Sequence, residues 1–417
     1  MPAKDCATSS SSSPAWCRSS SAPGPSASSS SPPPPHICAK INAQVATNPA
    51  LARPDFDFAA HVQSRSYTMH NFVFQDFEAA VLLDEGVERL LPDTFQTACP
   101  PAAPLYTFEI GDAGAKGLGM FALRDIPSGA LVLVEHPVIV APYLLGMSVP
   151  LPEVYAELFG RLPAEACHEL MALANSRSTE DCDLLEGIVR TNALGIQLEV
   201  PDVPNPELTT HRAVFLNTSR CNHSCGPNAR WEWDTNTFAL YLSAVRPIQK
   251  GEEITINYIS CTQPRHERHA TLFALYNFTC ACPSCALPSF DAIQHSDCTR
   301  LSLAQFWDTQ PSFEEWCLDA GMPADALVKR HLAALRMIKQ EGLQVLDAEK
   351  HVDAIAMCYG ALADLEMFRA WTGRVRDAKV HADPAQALVF AKWLSNPAAF
   401  PAWGWKKTFL GKEKGKV

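Results

Sequence analysis

No run of apolar residues approaches the roughly 20 that a membrane-spanning helix requires. Leu131 to Val134 is stopped by Glu135, His136 and Pro137 and reads as a buried strand. A secretory signal's charged-then-apolar pattern is also missing, so a reducing compartment, nucleus or cytoplasm, is expected rather than secretion. Excess positive charge is absent: 34 Lys and Arg against 45 Asp and Glu leave a net charge of -11. That balance argues against salt-driven nucleic-acid binding, which needs a basic face, and suits a basic protein or peptide partner instead. Arginine is scarce in the first 53 residues, and the run Pro32 to Pro35 forbids the amphipathic helix of a transit peptide.

What is present is ordinary for a globular chain, with 47% hydrophobic residues over 417 positions, enough for two or three units that each bury a core. Residues 1–53, dominated by Ser and Pro, read as a disordered leader. Residues 54–103 form an N-terminal extension in which Phe77 to Leu83 suggests a helix. From 104 to 260 short β-prone runs and turns take over, interrupted at about 150–192 by a helical insert spanning Leu151 to Asn175 and Leu184 to Asn192. Residues 261–290 carry clustered cysteines. Residues 291–396 read as helices in stacked pairs, like tetratricopeptide repeats but without a clean 34-residue period, entered by a connection from Leu287 to Leu301, and 397–417 as a solvated basic tail that includes Lys406.

Most of the 15 cysteines are scattered and read as buried small hydrophobes or idle thiols. Cys280, Cys282 and Cys285 differ: their spacing lets three thiolates grip one ion. Tetrahedral zinc takes four ligands, so a fourth must come from elsewhere. Cys225 is the natural candidate, in the turn-prone run Asn222-His223-Ser224-Cys225-Gly226-Pro227-Asn228, with Cys221 and Cys261 as rivals. Between the two cysteine stretches lies Gly251-Glu252-Glu253-Ile254-Thr255-Ile256-Asn257-Tyr258, a turn followed by a β-branched strand ending on tyrosine.

These stretches resemble the SET-domain lysine methyltransferases, which carry Asn-His-Ser-Cys-x-Pro-Asn, a Glu-Glu run ending in Tyr, and a post-SET Cys-x-Cys-x-x-Cys. Lys116-Gly117-Leu118-Gly119 is similar to the family's upstream Gly-x-Gly motif. The resemblance, over roughly residues 104 to 290, implies a mainly β SET fold of small curved sheets with a pseudoknot, α+β overall once the insert, the post-SET zinc site and the helical C-terminal region are added. The SET and MYND subfamily inserts a zinc finger rich in Cys and His in its middle region. Here that part offers only Cys167, His168 and Cys182, so a relative without the finger is expected.

The same resemblance implies an S-adenosylmethionine-dependent protein-lysine methyltransferase acting on a histone or another protein, and expected to be monomeric. Tyr258 matches the catalytic tyrosine. Asn222 and His223 match the cofactor-binding pair, and Lys116, Gly117, Leu118, Gly119, Asn192, Tyr258 and Phe278 are further cofactor contacts. The glycines would let the backbone approach a ligand closely. Tyr241, Tyr276 and Phe278 are candidates to line the lysine channel, and Cys225, Cys280, Cys282 and Cys285 to hold zinc. Two other classes remain compatible with the residues: a SET-type module that binds partners without turnover, and a zinc-stapled scaffold whose helices do the work. Methyl transfer separates the first reading from both.

Overall fold

The computed structural model describes residues 67–74, 77–102, 104–143, 151–199, 209–346, 348–382 and 384–408. The Ser/Pro-rich leader and the tail lysines Lys412, Lys414 and Lys416 lie outside them. The chain divides into two compact units, one of Met1–Ala103, Leu133–Arg220 and Glu232–Tyr241, the other of Pro104–Val132, Cys221–Trp231 and Leu242–Val417.

In the first unit Phe77–Asp84 is not the helix that its composition suggests. It is strand β2, paired antiparallel with β1 (Tyr67–Phe74) from Tyr67 opposite Asp84 to Phe74 opposite Phe77. Ala79 to Leu83 are all buried. A strand covered on both faces reads as a continuous apolar run, which periodicity alone cannot tell from a buried helix. Asp84 ends the strand and caps the single-turn helix α1 (Glu85–Glu88), its carboxylate accepting from the Gly86 amide at 2.7 Å.

The sheet runs β1-β2-β6-β8-β7, with β6 (Ile139–Pro142) parallel to β2 and antiparallel to β8 (Thr210–Val214), which pairs antiparallel with β7 (Leu194–Gln197). The helical insert folds as expected into α2 (Leu151–Gly160), α3 (Ala164–Met171) and α4 (Leu184–Asn192), the last capped by Asp183. Val154, Tyr155, Leu158, Leu170, Ile188 and Val189 form one core with Ala80, Leu82 and Ile139 of the sheet. Cys167 lies in that core, and among the described residues it joins no metal-ligand group with His168 or Cys182.

The second unit is built on the four-stranded sheet β3-β4-β12-β9. Here β3 is Phe108–Asp112, β4 Leu118–Ala122, β9 Asn222–His223 and β12 Glu253–Ile256. Tyr106, two residues before β3, is an exposed turn residue with φ 55°. Three further strands, β5 (Leu131–Glu135), β10 (Ala229–Asp234) and β11 (Ala239–Ala244), carry the chain between the units.

After β12 the chain is helical: α5 (Arg265–Tyr276), α6 (Phe290–Ala304), α7 (Phe306–Thr309), α8 (Phe313–Leu318), α9 (Ala326–Glu341), α10 (Ala348–Ala361), α11 (Leu365–Ala382) and α12 (Pro384–Ser395). Helices α9 to α12 pack each on the next around Trp316, Leu327, Ile355, Trp371 and Phe390. Helix α6 occupies what read as a connection; Ser289 caps it, accepting from the Ala292 amide. Lys406 departs from the solvated tail expected of it. It is fully buried, donating to the carbonyls of Trp316 at 2.8 Å and Asp319 at 2.6 Å, and so satisfies the C-terminal end of α8.

Candidate functional site

Strand β12 lies between the two motif strands of its sheet. Glu253 and Ile254 pair antiparallel with Phe121 and Met120 of β4, while Thr255 and Ile256 pair parallel with Asn222 and His223 of β9. This register brings the Gly117 turn, Asn222 and the chain leading to Tyr258 to one end of one sheet. Asn228, fully buried, staples it from behind: its amide donates to Glu252 Oε1 and the Glu253 carbonyl, and its oxygen accepts from the Thr255 amide at 2.8 Å.

Gly117 has φ 78°, a left-handed conformation that favours glycine. Gly119 is constrained by space. A Cβ there would lie 2.9 Å from Glu253 Oε1, 3.0 Å from Ala113 Cβ and 3.1 Å from Asn222 Nδ2. Both amide hydrogens of Asn222 are used, toward the Leu118 carbonyl at 3.1 Å and Glu253 Oε1 at 2.8 Å. Glu253 is held in turn by Lys116 through its second oxygen. Among the described residues no hydrogen bond to Asn222 Oδ1 is formed, which leaves it as an acceptor beside the Gly119 backbone.

Tyr258 follows β12 by two residues. Its hydroxyl donates to the Cys221 carbonyl at 2.7 Å, and its backbone amide donates to His223 Nδ1 at 3.0 Å. Burial, and after it the neighbouring Cys221, Tyr276 and Glu253, push the phenol above its ordinary pKa, so it stays protonated. Tyr276, at the end of α5, packs against Tyr258 with ring centroids 4.9 Å apart, and Phe278 lies 6.5 Å from Tyr276. Asn277 between them has φ 57°, the left-handed cap that turns the chain from α5 toward the cysteines. Burial also lowers His223 to a pKa of about 4, so its ring is neutral at physiological pH.

Cys225, Cys280, Cys282 and Cys285 place their Sγ atoms within 4.8 Å of one another. The Cys225 and Cys285 sulfurs are 3.5 Å apart, close to the about 3.8 Å that tetrahedral Zn–S bonds near 2.3 Å imply and far from a disulfide. The four donors therefore fit a soft divalent ion, and among the described residues they are the only such group. Of the two rivals, Cys221 sits against Met120, its sulfur 3.6 Å from the Met120 sulfur. Cys261 adjoins the cluster but is directed to the carbonyls of Ser224 and Ile259. Cys282 and Cys285 fall below the ordinary thiol range because Cys225 hydrogen-bonds to them.

Two guanidinium groups with no exposed surface accompany these sulfurs, and the residue pattern gave no sign of them. Arg268 of α5 approaches Cys285 Sγ at 3.8 Å and donates to the Gln263 carbonyl. Arg300 of α6 donates to the carbonyls of Cys225 at 3.0 Å and Cys261 at 2.6 Å, and binds Glu341 Oε2 at 2.9 Å. Beside them Gly226 and Gly342 meet backbone to backbone, and a Cβ on Gly226 would lie tightly at 3.1 Å from Ser284 Oγ and 3.3 Å from the Glu341 and Gly342 carbonyls. Leu303, Phe306, Ala334, Ile338 and Leu343 then share one core with Cys225, Cys280 and Cys285.

The other two expected site residues belong to the first unit. Asn192 spends both amide hydrogens on the carbonyls of Ala174 at 2.7 Å and Ile188 at 2.8 Å, closing the end of the helical insert. The Tyr241 hydroxyl is paired with that of Thr237 at 3.0 Å.

Residues 117–259 match the family model of the SET domain. Protein-lysine N-trimethyltransferase SMYD5 of Gallus gallus is 44% identical over 87 residues, 20% of this chain and 21% of that protein, so the aligned part spans about a fifth of the relative's length. Histone-lysine N-methyltransferase set5 of Schizosaccharomyces pombe (strain 972 / ATCC 24843) is 25% identical over 280 residues, covering 66% of this chain and 73% of that one. A crystal structure of the SET domain of LSMT bound to lysine and AdoHcy overlaps 76% of this chain and 88% of its own at 14% identity, with a TM-score of 0.27.

Proposed function

We propose that this chain, which carries a SET domain, is an S-adenosylmethionine-dependent methyltransferase that modifies lysine side chains of a protein substrate. The observation that carries the reading is the placement of Tyr258: β12 delivers it beside Asn222 and the glycine cradle, with its hydroxyl fixed on the Cys221 carbonyl. The cofactor's fit is supported by Gly119, where any Cβ would collide with Glu253 and Asn222, and by the open acceptor Asn222 Oδ1, suited to an ammonium group. Lys116 and the Leu118 backbone border the same place.

The cofactor supplies a methyl group on a sulfonium, an electrophile that needs an aligned neutral amine. Deprotonating a free lysine at pH 7 costs about 4–5 kcal/mol. An apolar aromatic channel and a nearby positive charge lower that cost by desolvation and like-charge repulsion, so no dedicated base is required. The Tyr258 hydroxyl spends its hydrogen on the Cys221 carbonyl, which leaves its oxygen free to accept a hydrogen bond from the amine and hold it in line. Tyr276 packs on Tyr258 and Phe278 on Tyr276, a row of rings that excludes water from the lysine stem. The four cysteines hold zinc as a structural staple that fixes Phe278 and the Asn222 strand. A net charge of -11 supports a basic target segment, and we place the activity in the nucleus or cytoplasm with the chain acting as a monomer.

Thermal-shift titration with S-adenosylmethionine, followed by radiolabelled methyl transfer to a peptide array, tests the proposal. Stabilisation with lysine-dependent label incorporation supports it. Binding without transfer to any lysine peptide reduces the chain to a binding module.

A further inference from the structure

We propose that His223 is a positioning residue that couples the four-thiol centre to Tyr258, so that the state of the metal ligand Cys225 is transmitted to the tyrosine at the reacting end of the cleft. The inference rests on the zinc and methyl-transfer reading above. Its premise is a pair of hydrogen bonds on opposite sides of one ring. The Tyr258 backbone N–H lies 3.0 Å from His223 Nδ1, and an N–H can only donate, so Nδ1 is the bare nitrogen. The proton of a neutral ring must then sit on Nε2, which faces Cys225 Sγ at 3.3 Å. A metal-bound thiolate accepts and does not donate, so the two contacts demand the same tautomer.

The geometry leaves the ring little freedom. His223 is 5% exposed, its backbone is paired with Ile256 in β9, and the next amide, Ser224 N–H, donates to the Ile256 carbonyl at 3.0 Å. Its ring packs on Tyr258 at 5.4 Å and on Phe278 at 6.2 Å. Tyr258 is thus held twice, at its hydroxyl by the Cys221 carbonyl just before β9 and at its backbone by His223 of β9. Hydrogen bonds that orient metal ligands commonly govern metal affinity or activity by about 10–100-fold. Here the orienting group also carries the tyrosine's backbone.

Two substitutions separate the ends of the link. In His223→Gln the amide nitrogen reaches the Nε2 position and can still donate to sulfur, but nothing accepts from Tyr258. In His223→Asn the amide oxygen sits near the Nδ1 position and still accepts from Tyr258, while sulfur loses its donor. The full chain is labelled with [15N]tyrosine, which gives at most eight amide signals, and Tyr258 is assigned by its loss in Tyr258→Phe. Cobalt(II) replaces zinc to report the thiolates through their charge-transfer bands.

The expected results are a displaced Tyr258 amide with native cobalt bands in His223→Gln, and a near-native Tyr258 amide with shifted bands and roughly tenfold faster metal release in His223→Asn. In the wild type, 15N-labelled histidine must report the Nε2–H tautomer for His223, a measurement that stands even if a variant misfolds. An Nδ1–H tautomer, or an unmoved Tyr258 amide in His223→Gln, overturns the coupling while leaving the metal and transferase readings intact. A wild-type chain that takes up neither zinc nor cobalt overturns the metal reading and the coupling with it.

Discussion

Arg300→Met should destabilise the second unit by about 3–5 kcal/mol, the range observed when one partner of a buried ion pair is removed. Arg300 has no exposed surface and makes contacts on three sides. Its Nε donates to Glu341 Oε2 at 2.9 Å, one terminal nitrogen donates to the Cys225 and Cys261 carbonyls, and the other donates to the Glu341 carbonyl at 3.0 Å. Methionine fills a similar stem volume, so little of the loss would come from a cavity. The loss comes instead from a Glu341 carboxylate left with only Ser296, which it meets at 2.6 Å, and from two carbonyls in the cysteine loop left without a donor. Urea unfolding of the metal-loaded protein measures it, followed by fluorescence from Trp307, Trp316, Trp371, Trp393, Trp403 and Trp405. The double substitution Arg300→Met with Glu341→Met should recover at least about 1 kcal/mol, because it removes the stranded charge. A single-variant loss below about 1 kcal/mol, or a double variant worse than the sum of the singles, would refute the claim that this pair joins α6 and α9 to the cysteine loop.

Tyr258→Phe should reduce methyl transfer at least 100-fold while S-adenosylmethionine affinity by calorimetry changes less than about 3-fold, since the loss belongs to the chemical step. Wild-type turnover on the best peptide would sink the assignment. Gly119→Ala should fold but bind the cofactor about 10–100-fold more weakly, because its Cβ forces Glu253 and Asn222 apart at a cost of about 1–3 kcal/mol; unchanged affinity would show that the cradle is not where the ligand sits. Cys225→Ser should lose most bound zinc by elemental analysis and Cys221→Ser none, the reverse result transferring the fourth ligand. Burial sets the His211 ring at a pKa of about 4, below its ordinary value of about 6.5, so its neutral form is the stable one in the fold. Its contribution is complete above pH 6.5 and is lost as pH falls toward 4, by about 3 kcal/mol across that window. His211→Asn, which preserves a donor to the Thr209 carbonyl, should flatten that acid limb, and an identical pH profile would contradict the argument.

Which of these features could be read in advance depended on whether chemistry or packing dictated the residue. The motif positions Asn222, Cys225, Gly119, Tyr258 and the cysteine triplet stand out by residue type and spacing rather than by periodicity. Their identity therefore survives translation into a one-dimensional string, and the fold assembles them in one unit. Most helices with an apolar stripe, α9 and α10 among them, were legible for the familiar reason of period. β2 was not, because Ala79 to Leu83 lies beneath cover on both faces and has no polar side to set a period. Helix α6 was not, because its buried residues include Ser296 and Arg300 along with Leu303, so its inward face is written in polar letters.

That last case also explains why the buried guanidinium groups escaped notice. An arginine in a helix is read as a solvated face, since full burial of the charge is rare without a partner. The partners here are main-chain carbonyls of Cys225 and Cys261, Glu341 about 40 residues along the chain, and thiols whose negative charge exists only once they gather. None of these is visible until the chain has folded. The cluster's need for compensating charge is nonetheless a physical consequence of four cysteines converging: thiolates at 3.5 Å repel one another unless an ion or nearby positive charge offsets them. A cysteine quartet recognised from spacing alone therefore carries a second expectation, a buried cation from an element that shows no apolar stripe. In this chain α5 supplies it as Arg268, whereas Arg300 of α6, its charge paired with Glu341, fastens the helical region to the carbonyls of Cys225 and Cys261.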